Sequence, residues 1–409
     1  MPRRLSVLLL ALILAACGGG GSQPANEVVV ALRNPPTHLD PRVGTDQSSA
    51  RVFDLMLSGL VTKTPNGDLV PDLATSWEVL DDALRYRFHL RSGVRFHDGR
   101  ELTAADVVWT FGSIVDGTVV SPKAGAFSHV ERVEAADPHA VDFVLRRPFG
   151  AMLADLTSFV GIVPAGVGPD DFESAPVGSG PFRLVERSPD SLRFAAWDGY
   201  WEGRPQLDQV VLRAVPDATV RALELEKGSV HLVISDLAPD VVERFRADER
   251  FRVQTDPGSV YTYLGFNMED PLVGDLRVRR ALALSLDRQA LADSLWRGLA
   301  LVTETALPPG HWARNDELET VAHDPAAARR LLDEAGYPDP DGDGPRTRFT
   351  ISYKTSTDEV FRLQAQAIQA MAAEAGIGIE IRSYEFATFY ADIKAGNFQM
   401  FSLNWTGVV

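Results

Sequence analysis

Between Arg85 and Phe111 the chain changes its hydrophobic period, which confines that stretch to strand followed by helix. Tyr86, Phe88 and Leu90 alternate with Arg85, Arg87, His89 and Arg91, so one face is apolar and the other charged, as in a half-buried strand. Ser92-Gly93 offers a turn, Val94 to Phe96 resumes an extended run, and Asp98-Gly99 stops it with a residue that accepts positive φ. From Thr103 the spacing becomes helical at Val107, Val108, Phe111, Ile114 and Val115. Thr103 can cap the helix, and Asp106 three residues on makes a weaker capping box. The expectation is two strands forming a hairpin, then a helix beginning near Thr103.

The rest of the chain mixes the two periods in the same way. Glu27 to Leu32 is a continuous apolar run, hence a buried strand. Pro35-Pro36 and Asp40-Pro41 force an extended loop. Ser48 to Leu60 has helical spacing, and Asn66-Gly67 signals a hairpin. Val130 to Ala136 and Ala140 to Leu145 read as paired strands around Asp137-Pro138, followed by a helix over Pro148 to Val160. Gly178, Gly180 and Pro181 mark a tight crossing. Strands are expected at Phe182 to Glu186, Leu192 to Ala196 and Val210 to Ala214. A βαβ unit then follows, with its helix over Thr219 to Glu226 capped by Asp217 and a strand at Val230 to Ile234. Leu276 to Leu295 reads as one amphipathic helix, and another runs from Asp324 or Pro325 to Gly336. Phe349 to Tyr353, Asp358 to Ala375 and Ile377 to Tyr384 form a second βαβ unit, with a further strand at Phe398 to Leu403. Interleaved strands and helices of this kind define an α/β chain.

Size and charge narrow the class. With 409 residues, 45% of them hydrophobic, the chain suffices for two or three lobes rather than one core. The formal net charge of −16 argues against nucleic acid or an anionic membrane as the main partner. One cysteine, Cys17, excludes an intramolecular disulfide.

That cysteine ends an address. Arg3 and Arg4 precede an apolar run from Leu5 to Ala15, shorter than a membrane span needs, which leads into Leu14-Ala15-Ala16-Cys17. The arrangement resembles a bacterial lipobox, in which cleavage leaves an acylated cysteine first. Residues 1–17 are thus expected to be a lipoprotein signal with its lipidated Cys17, and 18–25 a flexible tether. An ordinary secretory signal is the competing reading.

Seven segments, in order, carry a wider resemblance: THLDP, LSGLVTKTPNGDLVPDLATSWE, YRFHLRSGVRFHDGRELTAADVVWTF, VGSGPFRLVE, LGFNMEDPLVGDLRVRRALALSLDRQAL, LLDEAGYPDPDGDG and EFATFYADIKAGNFQMFSLNW. Together they resemble the family 5 extracellular solute-binding proteins of ABC importers, the receptors for oligopeptides, dipeptides and nickel. The resemblance implies a periplasmic-binding-protein-like type II α/β fold, with two large lobes, an inserted smaller lobe and an inter-lobe cleft. Lobe I would comprise 26–48 and 178–259, the inserted lobe II 49–177, and lobe III 260–409. Family members usually continue further, so a truncated C-terminus is expected.

The resemblance also implies where cargo binds. Thr45, Asp46 and Gln47 follow the LDP loop, which faces the ligand in the family, and Trp405 stands where the family places a cleft tryptophan. Tyr261, Tyr263 and Phe401 are expected near it, with Asn404 and Thr406 flanking; Asn267 can hydrogen-bond backbone or cargo. Oligopeptide receptors carry an Asp three residues after that tryptophan, which pairs with the peptide amine. Here the position is Val408, so recognition of a peptide amine would need Asp46 or an acid just beyond Val409.

Chemical motifs are otherwise missing. Asp339, Asp341, Asp343 and Gly344 imitate the start of an EF-hand loop, but its bidentate acid would fall on Thr350, so an acidic turn is the better reading. His89 and His97 have no identifiable third metal ligand. Gly178-Ser179-Gly180 lacks the spacing of a nucleophile elbow. We therefore expect no catalytic residues, metal or cofactor. The expectation is a monomeric, lipid-anchored receptor on the periplasmic or extracytoplasmic face that passes a peptide or other small organic solute to an ABC permease. An envelope hydrolase, or a sensor or chaperone-like lipoprotein on the same scaffold, are the alternatives.

Overall fold

In the computed structural model, residues 26–64, 68–157, 161–235, 237–256, 258, 260–311, 313–342 and 344–406 are described. The signal, the tether, Cys17, the Asn66-Gly67 turn and Val408 lie outside them. The chain divides into two compact units, Met1–Leu237 and Ala238–Val409.

In the first unit the elements run β1 (Glu27–Leu32), α1 (Gln47–Met56), β2 (Val61–Lys63), β3 (Leu69–Pro71), β4 (Ala74–Leu80), β5 (Arg85–Leu90), α2 (Ala104–Val115), β6 (Val130–Asp137), β7 (Ala140–Leu145), α3 (Met152–Thr157), α4 (Pro169–Ser174), β8 (Phe182–Arg187), β9 (Ser191–Ala196), β10 (Gln209–Ala214), α5 (Ala218–Lys227) and β11 (Leu232–Val233). They build a five-stranded sheet, β11-β1-β10-β9-β8, and a four-stranded antiparallel sheet, β4-β5-β7-β6. β1 lies parallel to β10 and β11, as a βαβ connection through α5 requires. α2 covers the second sheet, and Phe111 meets Phe143 edge-on at 5.1 Å, with Phe88 5.5 Å beyond.

Two connections join these sheets, one leaving α1 and one returning to β8. The returning one, Gly178 to Gly180, lies flush on the outgoing one. Gly180 N–H donates to Met56 O at 2.9 Å, and a Cβ on Gly178 would stand 1.9 Å from that oxygen. Only glycine permits this approach, which is the tight crossing expected at these residues.

The second unit contains α6 (Pro239–Arg246), β12 (Val260–Phe266), α7 (Leu276–Ser285), α8 (Arg288–Trp296), α9 (Pro325–Glu334), β13 (Phe349–Ser356), α10 (Glu359–Glu374), β14 (Ile377–Tyr384), α11 (Phe386–Lys394) and β15 (Met400–Thr406). Its sheet is ordered β12-β15-β13-β14. β12 and β15 are antiparallel, and the other pairs are parallel. One core gathers Leu282, Leu332, Ile351, Tyr353, Ile368 and Ile377 beneath α7, α9 and α10. Aspartates cap the helices throughout: Asp46, Asp217, Asp275, Asp287, Asp324 and Asp358 each accept an N–H from the first turn, which satisfies an otherwise orphaned donor.

Three expectations need correcting. Val94 to Phe96 forms no strand. Its backbone closes on Arg100 and Leu102 in a tight loop with one bridge, Arg95 to Glu101, because Val94 and Phe96 are drawn inward as core residues. The helix expected over 276–295 is two helices. Leu286 is extended, and Asp287 takes the Ala290 N–H at 2.9 Å, so the second helix has its own cap. The strand expected at Val230 to Ile234 contracts to β11, because the His231 ring takes a ladder position: Val29 N–H donates to its Nδ1 at 2.9 Å.

Candidate ligand-binding residues

In the first unit the loop before α1 is fixed from below by an ion pair. Asp40 and Arg42 are each only 1% exposed, with Arg42 Nη2 on Asp40 Oδ2 at 2.6 Å. The same guanidinium reaches Val167 O at 2.9 Å. Lys123 Nζ donates to Pro41 O at 2.6 Å, and burial, partly opposed by Asp40, brings its ammonium down to about 8. On this base Thr45 and Gln47 are exposed and Asp46 is half-buried. Asp46 has little capacity left for cargo. Its Oδ2 accepts Thr37 Oγ1 and Ser49 Oγ, each at 2.5 Å, and its Oδ1 accepts Ser49 N–H at 2.9 Å. Burial alone would raise this carboxyl. The bonds from Ser49 and Thr37 outweigh it, so the group sits below the ordinary carboxylate range.

In the second unit β12 and β15 pair residue by residue: Tyr261 faces Trp405, Thr262 faces Asn404, Tyr263 faces Leu403 and Gly265 faces Phe401. Side chains two apart share a face, so Tyr261, Tyr263, Phe401 and Trp405 lie on one side of the ladder. The two tyrosine rings stack at 5.9 Å, Tyr263 meets Phe401 edge-on at 5.9 Å, and Phe401 meets Phe398 at 4.8 Å. Trp405 is 58% exposed. On the opposite side, Thr262 Oγ1 donates to Asn404 Oδ1 at 2.7 Å. Thr406 ends the strand, opposite Val260. The Asn267 amide goes to the backbone: Nδ2 donates to Phe398 O at 3.1 Å and Gly396 O at 3.2 Å, and Oδ1 accepts Glu269 N–H at 3.0 Å. Of the two roles open to Asn267, the structure shows the backbone one. It ties the end of β12 to the start of β15.

The second unit carries a further exposed aromatic pair that the sequence did not flag. On α11, Phe386 and Tyr390 stack in parallel at 5.8 Å and are half exposed. Burial, with a smaller effect of Tyr390, pushes the Tyr263 hydroxyl above its usual range. Lys354, opposite Phe401 on β13, is neutralised by Asp392 of α11 at 2.6 Å. The signal was available as aromatic residues four apart in a helical segment, the spacing that places them on one face. Such a surface can stack planar groups and bury apolar ones. Among the described residues, no group of three or more His, Cys, Asp or Glu could hold a metal.

His89 and His97 serve other ends. His89 Nε2 lies 3.0 Å from Glu78 on the antiparallel sheet. His97 binds the returning connection at Gly178 and Gly180.

These features have counterparts in known proteins. The family described as "Bacterial extracellular solute-binding proteins, family 5 Middle" matches residues 68–409. The dipeptide-binding protein of Escherichia coli is 29% identical over 99% of this chain and 80% of its own length. Heme-binding protein A of Haemophilus influenzae is 30% identical over 98% of this chain and 80% of its own. Among solved structures, the oligopeptide-binding protein AppA of Bacillus subtilis, in complex with a nonapeptide, superposes with a TM-score of 0.75 at 26% identity, over 93% of this chain and 79% of that one. NikA of Brucella suis, in complex with Fe(III)-EDTA, has the same fold, with a TM-score of 0.85 at 24% identity over 93% and 80% of the two chains. The fold is that of the type II periplasmic binding proteins. The chain belongs to family 5 of the bacterial extracellular solute-binding proteins, and its role is to bind a solute.

Proposed function

We propose that this protein is the cargo receptor of an ABC importer, capturing a peptide or other small organic solute and delivering it to a membrane permease without covalent chemistry. The match to the solute-binding family over residues 68–409 carries this reading. The relatives named for dipeptides and the nonapeptide complex favour peptide-like cargo.

Under this proposal Thr45, Asp46 and Gln47 from lobe I, and Tyr261, Tyr263 and Trp405 from lobe III, contact the cargo, with Asn404 and Thr406 flanking Trp405 along β15 and Asn267 positioning that strand. The lobe division is 26–48 with 178–259, 49–177, and 260–409. The return of the chain to lobe I is supported by the five-stranded sheet, which draws its strands from both sides of the antiparallel one. Because Asp46 is engaged by Thr37 and Ser49, and Val408 replaces the acid of oligopeptide receptors, the cargo is held more by the aromatic face than by an amine–carboxylate pair. The body works as a monomer on the extracytoplasmic face, tethered through a lipid on Cys17.

Thermal-shift and calorimetric screening of the intact protein against peptides and small solutes tests the proposal. Saturable binding of at least one member is expected. Turnover of a library member, abolished by a single Ser or His substitution, would instead identify an enzyme.

A further inference from the structure

His97 stands outside the candidate binding residues, and its environment fixes its tautomer. Gly178 N–H donates to Nδ1 at 3.3 Å, so Nδ1 carries no proton, and Nε2 then donates to Gly180 O at 3.0 Å. A backbone bond from His97 N–H to Gly178 O, at 2.8 Å, completes the clamp. Only a neutral imidazole fits: a second proton on Nδ1 would point at the Gly178 N–H and set donor against donor. The clamped backbone is the returning connection between the two sheets of the first unit. Its other side is bound to the outgoing connection by Gly180 N–H on Met56 O and by Ser58 Oγ on Ser179 O at 3.2 Å.

We propose that His97 is a proton-operated latch on this double connection. In its neutral form it seals Gly178 to Gly180 against the outgoing strand. Protonation at Nδ1 breaks the bond from Gly178 N–H, while Nε2–H keeps its bond to Gly180 O, and the half-released connection between the sheets can flex. Two charged groups face the ring: Arg183 on β8, which opposes protonation, and Asp98 in its own loop, which favours it. Trp197 packs edge-on against the ring at 5.7 Å. Burial is the main influence and holds the imidazole below its ordinary range, so the latch stays closed at neutral pH and opens on acidification. An extracellular receptor meets the pH of its surroundings directly, and this device would couple that pH to the freedom of one sheet relative to the other.

Hydrogen exchange read by mass spectrometry, corrected for intrinsic rates, tests the latch on the intact protein. Protection of the amides at Gly178 to Gly180 is expected to fall at least tenfold between pH 7.5 and 4.5, and His97→Gln is expected to remove that pH dependence. Arg183→Gln should move the opening midpoint to higher pH and Asp98→Asn to lower pH, which keeps the test decisive if His97→Gln does not fold. Unchanged wild-type protection across the range would overturn the proposal. So would a pH profile that survives in His97→Gln, or a midpoint that ignores both charge variants.

Discussion

Gly265 and Phe401 face each other across the β12–β15 ladder, and a Cβ on Gly265 would stand 2.3 Å from Phe401 Cζ. The ring lies across the glycine, and from there it contacts Tyr263 and Phe398. Gly265→Ala must therefore displace the ring or the strand. We expect a loss of about 1–3 kcal/mol in chemical denaturation, the usual cost of overpacking. Cargo binding should weaken with it, because the displaced ring supports Tyr263.

Removing one partner of the Asp40–Arg42 pair leaves a buried charge without its counter-ion. Arg42→Met should cost about 3–5 kcal/mol by urea denaturation. The double variant Asp40→Asn/Arg42→Met should lose less than the sum of the two single changes, because no charge is then left uncompensated.

Asp72 runs the other way. Burial raises its carboxyl most, and Glu202 adds to this against the opposing Gly59 N–H and Arg91, to a value of about 6. A carboxyl raised above its unfolded value favours the folded state while protonated, and that contribution is lost as pH rises through about 6. At pH 7.5 the ionised group costs on the order of 2–3 kcal/mol. Asp72→Asn keeps an oxygen for the Gly59 N–H. It should be more stable than the wild type by about 1–2 kcal/mol at pH 7.5, since Asn forgoes the charge-assisted bond. The gain should shrink as pH falls from 6 toward 4. Thermal melts across this range measure it.

Much of the architecture was legible because local signals agreed with tertiary needs. Thr103 and Asp106 announced α2, and the structure has Thr103 N–H on Asp106 Oδ2 at 2.8 Å. Asp137-Pro138 marked the β6–β7 turn, and Asp358 the start of α10. The break at Leu286 was hidden because apolar spacing continues through it, and only the capping role of Asp287 separates α7 from α8. His231 was hidden for a different reason: a side chain that replaces a backbone acceptor leaves no periodic trace. In the candidate site, the ladder that sets Tyr261 against Trp405 depends on residues 144 apart in sequence, a pairing that no local pattern encodes. The commitment of Asp46 to Thr37 was obscured by the loop between them.

Asn267 provides a contrast with the exposed candidates. Asn267→Ala removes three hydrogen bonds to backbone groups, and should lower stability by about 1–3 kcal/mol. Trp405→Ala, at a largely exposed position, should change stability by no more than about 0.5 kcal/mol. It should nevertheless weaken cargo binding about 10- to 100-fold by calorimetry, as loss of an aromatic anchor does.

The central claim is that this protein captures a small solute on the aromatic face around Tyr261 and Trp405. Native mass spectrometry of the intact protein purified from its own host, followed by release and identification of bound species, tests it most directly. We expect a peptide or other small organic molecule bound one to one, and its occupancy to fall in Trp405→Ala. A ligand-free protein whose melting temperature no peptide or solute raises would contradict the account.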